Sequence, residues 1–82
     1  MNEMQPVLEL FDRIENDLNI PKGLKTKLED IKGSLLEEDN NSIAMRINQA
    51  LECLDDISDD SNTPDYIRIQ IWNIVSILES VK

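Results

Sequence analysis

An internal repeat constrains the fold of this 82-residue chain more than any other feature of its sequence. When the sequence is shifted by 43 positions, segment 7–36 lies over segment 50–79 without a gap, and nine of the 30 pairs are identical. The identical pairs include the residues of a turn, namely Asp17 with Asp60, Asn19 with Asn62 and Pro21 with Pro64. The pattern indicates a duplicated unit. The alternative is that two helical hairpins with the same turn have converged on one periodic pattern.

Each unit contains two runs in which apolar residues recur every three or four positions, the spacing of an amphipathic helix. In the first unit these residues are Val7, Phe11, Ile14 and Leu18, followed by Leu24, Leu28, Ile31 and Leu35. In the second they are Ile43, Ile47, Ala50, Leu54 and Ile57, followed by Ile67, Ile71, Ile74, Leu78 and Val81. Pro21 and Pro64 suit the first turn of a helix. We therefore predict helices near residues 3–18, 21–36, 42–58 and 64–81.

The connections favour a closed bundle. Residues 37–42 contain no apolar side chain and predict a loop that ends in the N-cap of the third helix, and Thr63 is a natural N-cap for the fourth. Short connections place successive helices side by side and antiparallel. The chain should be all-α, an antiparallel up-and-down four-helix bundle built from two duplicated αα-hairpins, with residues 1–82 as one domain. The alternative is two stacked α-solenoid repeats, but such arrays generally need three or more.

Charge and composition argue against several classes of function. With 17 acidic and 8 basic residues the net charge is -9, which disfavours nucleic acid and anionic membranes as partners. Histidine is absent, and no phosphate-binding loop, nucleophile elbow or paired-cysteine motif occurs, so we expect a protein that is not an enzyme and has no cofactor. A single cysteine and the lack of an export signal predict a cytoplasmic location.

An acidic cluster supplies the alternative function. Asp55, Asp56, Asp59 and Asp60 could bind a divalent cation through oxygen ligands. The segment lacks the central glycine and alternating ligands of an EF-hand, however, and no metal ligand is assigned. Because Asp17 and Asn19 recur as Asp60 and Asn62, turn capping is the preferred interpretation.

Two further groups of residues are interpreted as structural. Cys53 lies at the edge of an apolar helical face and is expected to be a small buried hydrophobe. Lys22, Lys25 and Lys32 share one side of the second helix without interleaved aromatic residues, which predicts a solvated face.

The fourth helix carries the clearest hint of function. Polar residues of the second helix are replaced by apolar ones at the matching positions of the fourth, so that Thr26, Glu29, Lys32 and Ser34 correspond to Ile69, Trp72, Val75 and Ile77. Ile69, Trp72 and Val75 form a second apolar stripe beside the core-facing one. Either an asymmetric bundle encloses this stripe, or it is an interface for a homodimer or a protein partner. We predict a protein–protein interaction or self-associating module that uses the stripe.

The chain also resembles a small archaeal family of uncharacterised, acidic, all-helical proteins. The similarity spans nearly the whole chain and rests on residues 51–60, the turn Asn62-Thr63-Pro64 and residues 71–79. Ile20-Pro21 is the earlier counterpart of the proline turn. The resemblance implies a four-helix bundle. It implies no assigned activity and no catalytic or ligand-binding residues.

Overall fold

The computed structural model of the chain describes residues 4–36 and 42–81, and it contains four α-helices. In chain order they are α1 (Gln5–Glu15), α2 (Lys22–Leu36), α3 (Ile43–Asp59) and α4 (Asp65–Val81). No strand occurs in this part of the chain, so the predicted all-α class is confirmed. None of the four helices is both long enough and apolar enough to cross a membrane.

The C-terminal end of α1 comes earlier than the sequence predicts, and this removes Leu18 from the apolar face. The helix ends at Glu15, and Asn16 forms its C-cap. Asp17 then accepts the N–H of Asn19 through Oδ1 at 2.8 Å, which turns the chain away from the helix axis. Leu18 is 99% exposed at this turn, so the prediction that it belongs to the core is wrong.

The predicted caps of α3 and α4 differ in how they are used. The Ser42 hydroxyl accepts the N–H of Met45 at 3.2 Å, which confirms Ser42 as the N-cap of α3. The rest of the predicted connecting loop, residues 37–41, lies outside the described residues. Thr63 is buried, and its hydroxyl donates to the carbonyl oxygen of Ile57 at 2.7 Å. Thr63 therefore links the segment just before α4 to the last turn of α3.

The helices pack in a ring in which α1 and α3 each contact α2 and α4. The α1–α4 contact closes the ring, which distinguishes this arrangement from two stacked solenoid repeats. The buried apolar side chains at the centre are Val7, Phe11, Ile14, Leu24, Leu28, Ile31, Leu35, Ile47, Ala50, Leu51, Leu54, Ile57, Ile67, Ile71, Ile74 and Leu78. Ile43, which was predicted for the same core, is exposed at the first position of α3.

Residues related by the 43-position shift occupy matching environments. Every buried apolar residue of α1 and α2 has a buried apolar counterpart in α3 or α4. The turns match as well: the Asp17 N–H donates to Ile14 O at 3.1 Å, and the Asp60 N–H donates to Ile57 O at the same distance. The two units can therefore be compared position by position, so that a difference between them marks a local specialisation.

Candidate protein-interaction surface

The predicted interface residues of α4, which we call the α4 stripe, are Ile69, Trp72 and Val75. Ile69 and Trp72 are each 55% exposed, whereas Val75 is partly buried and packs against the core. In helical projection Ile69 lies opposite the core-facing residues, and Val75 lies toward α3. The stripe therefore runs from open solvent to the side of the core, with Trp72 between these two environments.

The matching face of the first unit is polar and contains an ion-paired cluster. Lys32, the counterpart of Val75, places Nζ 2.7 Å from Glu15 Oε2 and 3.3 Å from Asp12 Oδ1. The Glu15 side chain is only 10% exposed, and its Oε1 is buried without a hydrogen-bond partner. The hydrogen bond to Glu15 raises the pKa of Lys32, although burial acts in the opposite direction. The prediction that Lys32 belongs to a solvated face is wrong, because the side chain lies against α1.

Replacing Lys32 by valine, the residue of the second unit, should lower the free energy of unfolding by about 2 kcal/mol, because the Glu15 carboxylate loses its partner while still partly desolvated. Adding Glu15→Ser, which copies Ser58, should reduce the loss to below about 1 kcal/mol, because the desolvated carboxylate is then absent and Asp12, the other partner of Lys32, is 63% exposed to water. Urea unfolding followed by circular dichroism measures both values.

The pH dependence provides a control on this assignment. Because the folded-state pKa of Lys32 is raised, its contribution is fully present below the ordinary lysine pKa of 10.5 and is lost as the pH rises through the higher folded-state pKa. The parent chain and the Lys32→Val variant should therefore converge in stability as the solution becomes strongly alkaline. A double variant as unstable as Lys32→Val alone would contradict the Lys32–Glu15 pairing.

Arg68 lies one position before the stripe and binds the oxygen atoms at the end of α3. Its Nε donates to Ser58 O at 2.7 Å, and its Nη2 donates to Asp60 O and Thr63 O at 3.2 Å each. Its Nη1 pairs with Asp65 Oδ1 at 2.6 Å. The last carbonyl groups of a helix have no partner within that helix. The guanidinium binds one of them, Ser58 O, together with the carbonyl groups of the C-cap Asp60 and of Thr63 in the following turn, and it fixes α4 against α3.

The turn of the first unit has a lysine, Lys25, at the position of Arg68, and a cleft of about 570 Å³ lies there. Three carboxylates, those of Glu15, Asp17 and Glu29, line it together with two lysines. Glu15 is already bound by Lys32.

One member of the acidic cluster, Asp60, has a local structural role. Asp60 Oδ1 accepts the N–H of Asn62 at 2.9 Å, which confirms the predicted turn capping. Across residues 4–36 and 42–81, no three Asp, Glu or Cys side chains are grouped so that they could hold a metal ion. The hypothesis of a cation site at Asp55, Asp56, Asp59 and Asp60 thus has no support in the geometry.

Cys53 is exposed, so the prediction that it is a buried hydrophobe is wrong. It lines a cavity of about 280 Å³ between α2 and α3, together with Lys27, Asp30 and Asp56. Cys53 would be buried only if larger side chains filled this cavity.

Sequence reasoning missed both Arg68 and the Lys32–Glu15 pair. A signal for the pair was present, because both members lose their charge together in the second unit, where Val75 and Ser58 replace them. For Arg68 no sequence signal was available beyond its place in the turn, since its partners are main-chain carbonyl groups that every residue carries.

Comparison with known proteins gives a consistent result over the whole chain. Residues 1–81 match the model of a family described as an uncharacterised protein family, UPF0147. A UPF0147 protein from Methanocaldococcus jannaschii is 39% identical over 79 residues, which cover 96% of this chain and 84% of that protein. One from Saccharolobus solfataricus is 41% identical over 73 residues, covering 89% of this chain and 81% of the relative.

A solved structure shows the same fold. The crystal structure of a protein of this family from Thermoplasma acidophilum superimposes with a TM-score of 0.89 and 31% sequence identity. The superposition covers 99% of this chain and 94% of that one. The similarity therefore includes all four helices and is not confined to one hairpin.

Proposed function

The chain belongs to the UPF0147 family of uncharacterised proteins, and from this starting point we propose that it is a non-enzymatic module that binds another protein chain through the α4 stripe. The observation that carries the proposal is the exposure of Trp72 and Ile69, each 55% accessible on a helix whose counterpart is polar at the same positions. Tryptophan is among the residues most enriched at the energetic centres of interfaces.

The arrangement around Trp72 suits a binding surface. Arg68 holds the adjacent turn of α4 through main-chain bonds to Ser58, Asp60 and Thr63, so the helix that carries the stripe is fixed before any partner arrives. A preformed surface loses less conformational entropy on association than a mobile one. Val75 is already packed against the core, so burying Trp72 would extend the apolar core outward as one continuous contact.

The proposal also includes the arrangement of the helices and their origin. We take the chain to be two antiparallel αα-hairpins that arose by duplication, and the matched turn hydrogen bonds and matched core positions support this interpretation. Duplication leaves the second unit free to lose polar residues on its outer face while the core pattern is kept. The net charge of -9 makes a protein more plausible as the partner than nucleic acid or a membrane, and the cytoplasm is the compartment we propose.

Self-association is the first case to test, because it needs no unknown partner. We expect the parent chain to form a concentration-dependent dimer, and Trp72→Ala to raise its dissociation constant at least about thirty-fold, the effect of losing a hot-spot residue. Sedimentation velocity measures the dimer. Trp72 is the only tryptophan, so a blue shift of its fluorescence with concentration reports its burial directly.

The repeat supplies matched variants for this experiment. Ile69→Thr with Trp72→Glu gives α4 the residues of Thr26 and Glu29, and it should abolish the dimer. Met45→Thr removes an apolar side chain that is 51% exposed elsewhere and should leave the dimer unchanged. A parent chain that stays monomeric at about 100 μM would eliminate a second copy as the partner. Dimers that persist in the double variant would show that α4 is not the interface.

A further inference from the structure

The groove between α2 and α3 has an internal counterpart between α4 and α1. The shift that maps α1 onto α3 also maps α2 onto α4, and both pairs of helices are in contact. We call the first the α2–α3 groove and the second the α1–α4 groove. Comparing them position by position shows which side chains fill one groove and are missing from the other.

The α1–α4 groove is filled by side chains of this chain itself. Leu10 and Ile77 are partly buried against the core. Tyr66, at the start of α4, lies beside Asp17 after the end of α1, and partial burial together with the hydrogen bond to that carboxylate raises the pKa of the phenol. An aliphatic residue from each helix thus covers the core on this side, and Tyr66, which is 43% exposed, lies at the end of the groove beside Asp17.

The α2–α3 groove has small residues at the same three positions. Cys53 corresponds to Leu10, Ser34 to Ile77 and Gly23 to Tyr66. A Cβ atom added to Gly23 would meet no other atom within 4 Å. Cavities of about 180, 280 and 360 Å³ follow the groove from Gly23 to Ser34, and neighbouring cavities share lining residues. From the helical rise, the continuous groove is about 16 Å long.

The core residues beneath the two grooves also differ in their exposed fraction. Leu24, Ile31 and Ile57 keep 9, 6 and 4% of their surface exposed, while their counterparts Ile67, Ile74 and Ile14 are all at 0%. The α2–α3 groove therefore reaches the apolar core, and the α1–α4 groove is sealed. The filled groove also shows which side chains the open one would accept.

The charges that line the α2–α3 groove indicate the charge of a partner that would bind there. Its lining includes the carboxylates of Asp30, Glu52, Asp56 and Asp60, with Lys27 as the cation among them. Asp60 Oδ1 accepts the N–H of Asn62 at 2.9 Å, as Asp17 accepts that of Asn19. The Asp60 carboxylate is thus placed like the one beside Tyr66, and it can accept a hydrogen bond from a phenol over Gly23.

We propose that the α2–α3 groove binds a basic amphipathic helix of a partner protein, with a tyrosine over Gly23 and aliphatic side chains over Cys53 and Ser34. A groove of about 16 Å matches three turns of helix, and helix-in-groove recognition uses anchors spaced by three and four residues. The acidic rim pairs with lysines on the flanks of the helix. This proposal uses residues separate from the α4 stripe and does not depend on it.

The test uses synthetic peptides and the full chain. The probe is a fluorescein-labelled, lysine-rich helical peptide of about 18 residues, with a tyrosine at one position and leucines 4, 7 and 11 residues later on the same face. Fluorescence anisotropy should show saturable binding. A peptide of the same composition with its apolar residues spread around the helix, and one with glutamate in place of lysine, should each bind at least about ten-fold more weakly.

Variants of the chain locate the binding site. Gly23→Tyr with Ser34→Ile copies two of the three side chains that fill the α1–α4 groove and should weaken peptide binding at least about ten-fold. Its thermal stability should be equal to or above that of the parent, because Gly23 lies in the first turn of α2 with open space around an added Cβ atom, and tyrosine has a higher helix propensity than glycine. Gly33→Tyr is the matched control, since Gly33 also has open space around it but lies opposite the core in helical projection. This control should bind as the parent does.

Three results obtained with the peptides and the groove variant would overturn the proposal. They are equal binding of the spread-out peptide, unchanged binding by the Gly23→Tyr/Ser34→Ile variant, and no binding up to about 1 mM peptide. The Ile69→Thr/Trp72→Glu variant keeps this result separate from the function proposed for α4. If that variant alone loses the peptide, then the peptide binds the α4 stripe and the groove is not its site.

Discussion

Replacing Arg68 by alanine should lower the free energy of unfolding by about 3 kcal/mol and Tm by about 15 °C. The guanidinium makes four contacts, three of them to main-chain carbonyl groups, of which Asp60 O also accepts the N–H of Thr63 at 3.0 Å. Hydrogen bonds to a charged donor are about twice as strong as neutral ones, and water recovers part of the loss because the side chain is 23% exposed. Thermal and urea unfolding by circular dichroism give both quantities.

The first unit provides the matched control for Arg68. Lys25→Ala alters the equivalent position of the other turn and should change stability by less than about 0.5 kcal/mol, as expected for an exposed residue outside the core. Arg68→Lys should fall between the two, because a lysine keeps the charge but cannot donate in several fixed directions. Equal effects of Arg68→Ala and Lys25→Ala would show that the carbonyl contacts do not hold α4 against α3.

Phe11→Ala should cost about 4 kcal/mol, the largest effect we expect from a single truncation. Phe11 is fully buried in the ring of helices, so removing its ring takes dispersion contacts from all its neighbours and leaves a cavity. A domain of this size is stable by only about 4–12 kcal/mol, so the variant should be largely or wholly unfolded at 37 °C. Urea unfolding at 10 °C keeps the measurement within range.

Phe11→Leu is the natural comparison, because Leu54 occupies the matching position of the second unit. An aliphatic residue of similar volume should cost about 1–1.5 kcal/mol. If Phe11→Leu were as damaging as Phe11→Ala, the two core halves would not be interchangeable, and the structural equivalence of the units would fail at its most buried point.

The parts of this fold that could be read from the sequence are those in which local chemistry and periodicity agree. The apolar spacing placed four helices, and the Asp-Asn-Pro pattern placed both turns, because an Asp that accepts the N–H two residues later behaves the same way in either unit. The prediction for Leu18 was wrong because this residue continues the helical period beyond the last residue that the turn allows to be helical. Periodicity records which face a residue would take, and it does not record where the helix ends.

The surface was less predictable for a physical reason. Exposure of Trp72 and burial of Val75 depend on how closely α3 approaches α4, and that distance is set by the side chains of both helices together. The exposure of Cys53 likewise depends on Gly23 and Ser34, which lie on a different helix and are small. Sequence spacing describes one helix at a time, so it identified candidate faces and left their neighbours undetermined.

The ring packing has a consequence for how partners could be combined. The stripe and the α2–α3 groove are on opposite sides of α3, which contacts both α2 and α4. At least one helix diameter, about 10 Å, then separates the two surfaces. A partner segment bound at one surface would hold any segment linked to it at high local concentration near the other surface. Two weak contacts could then act together as one strong contact. A single small bundle of this kind can serve as a bridge whose affinity depends on both partners being present.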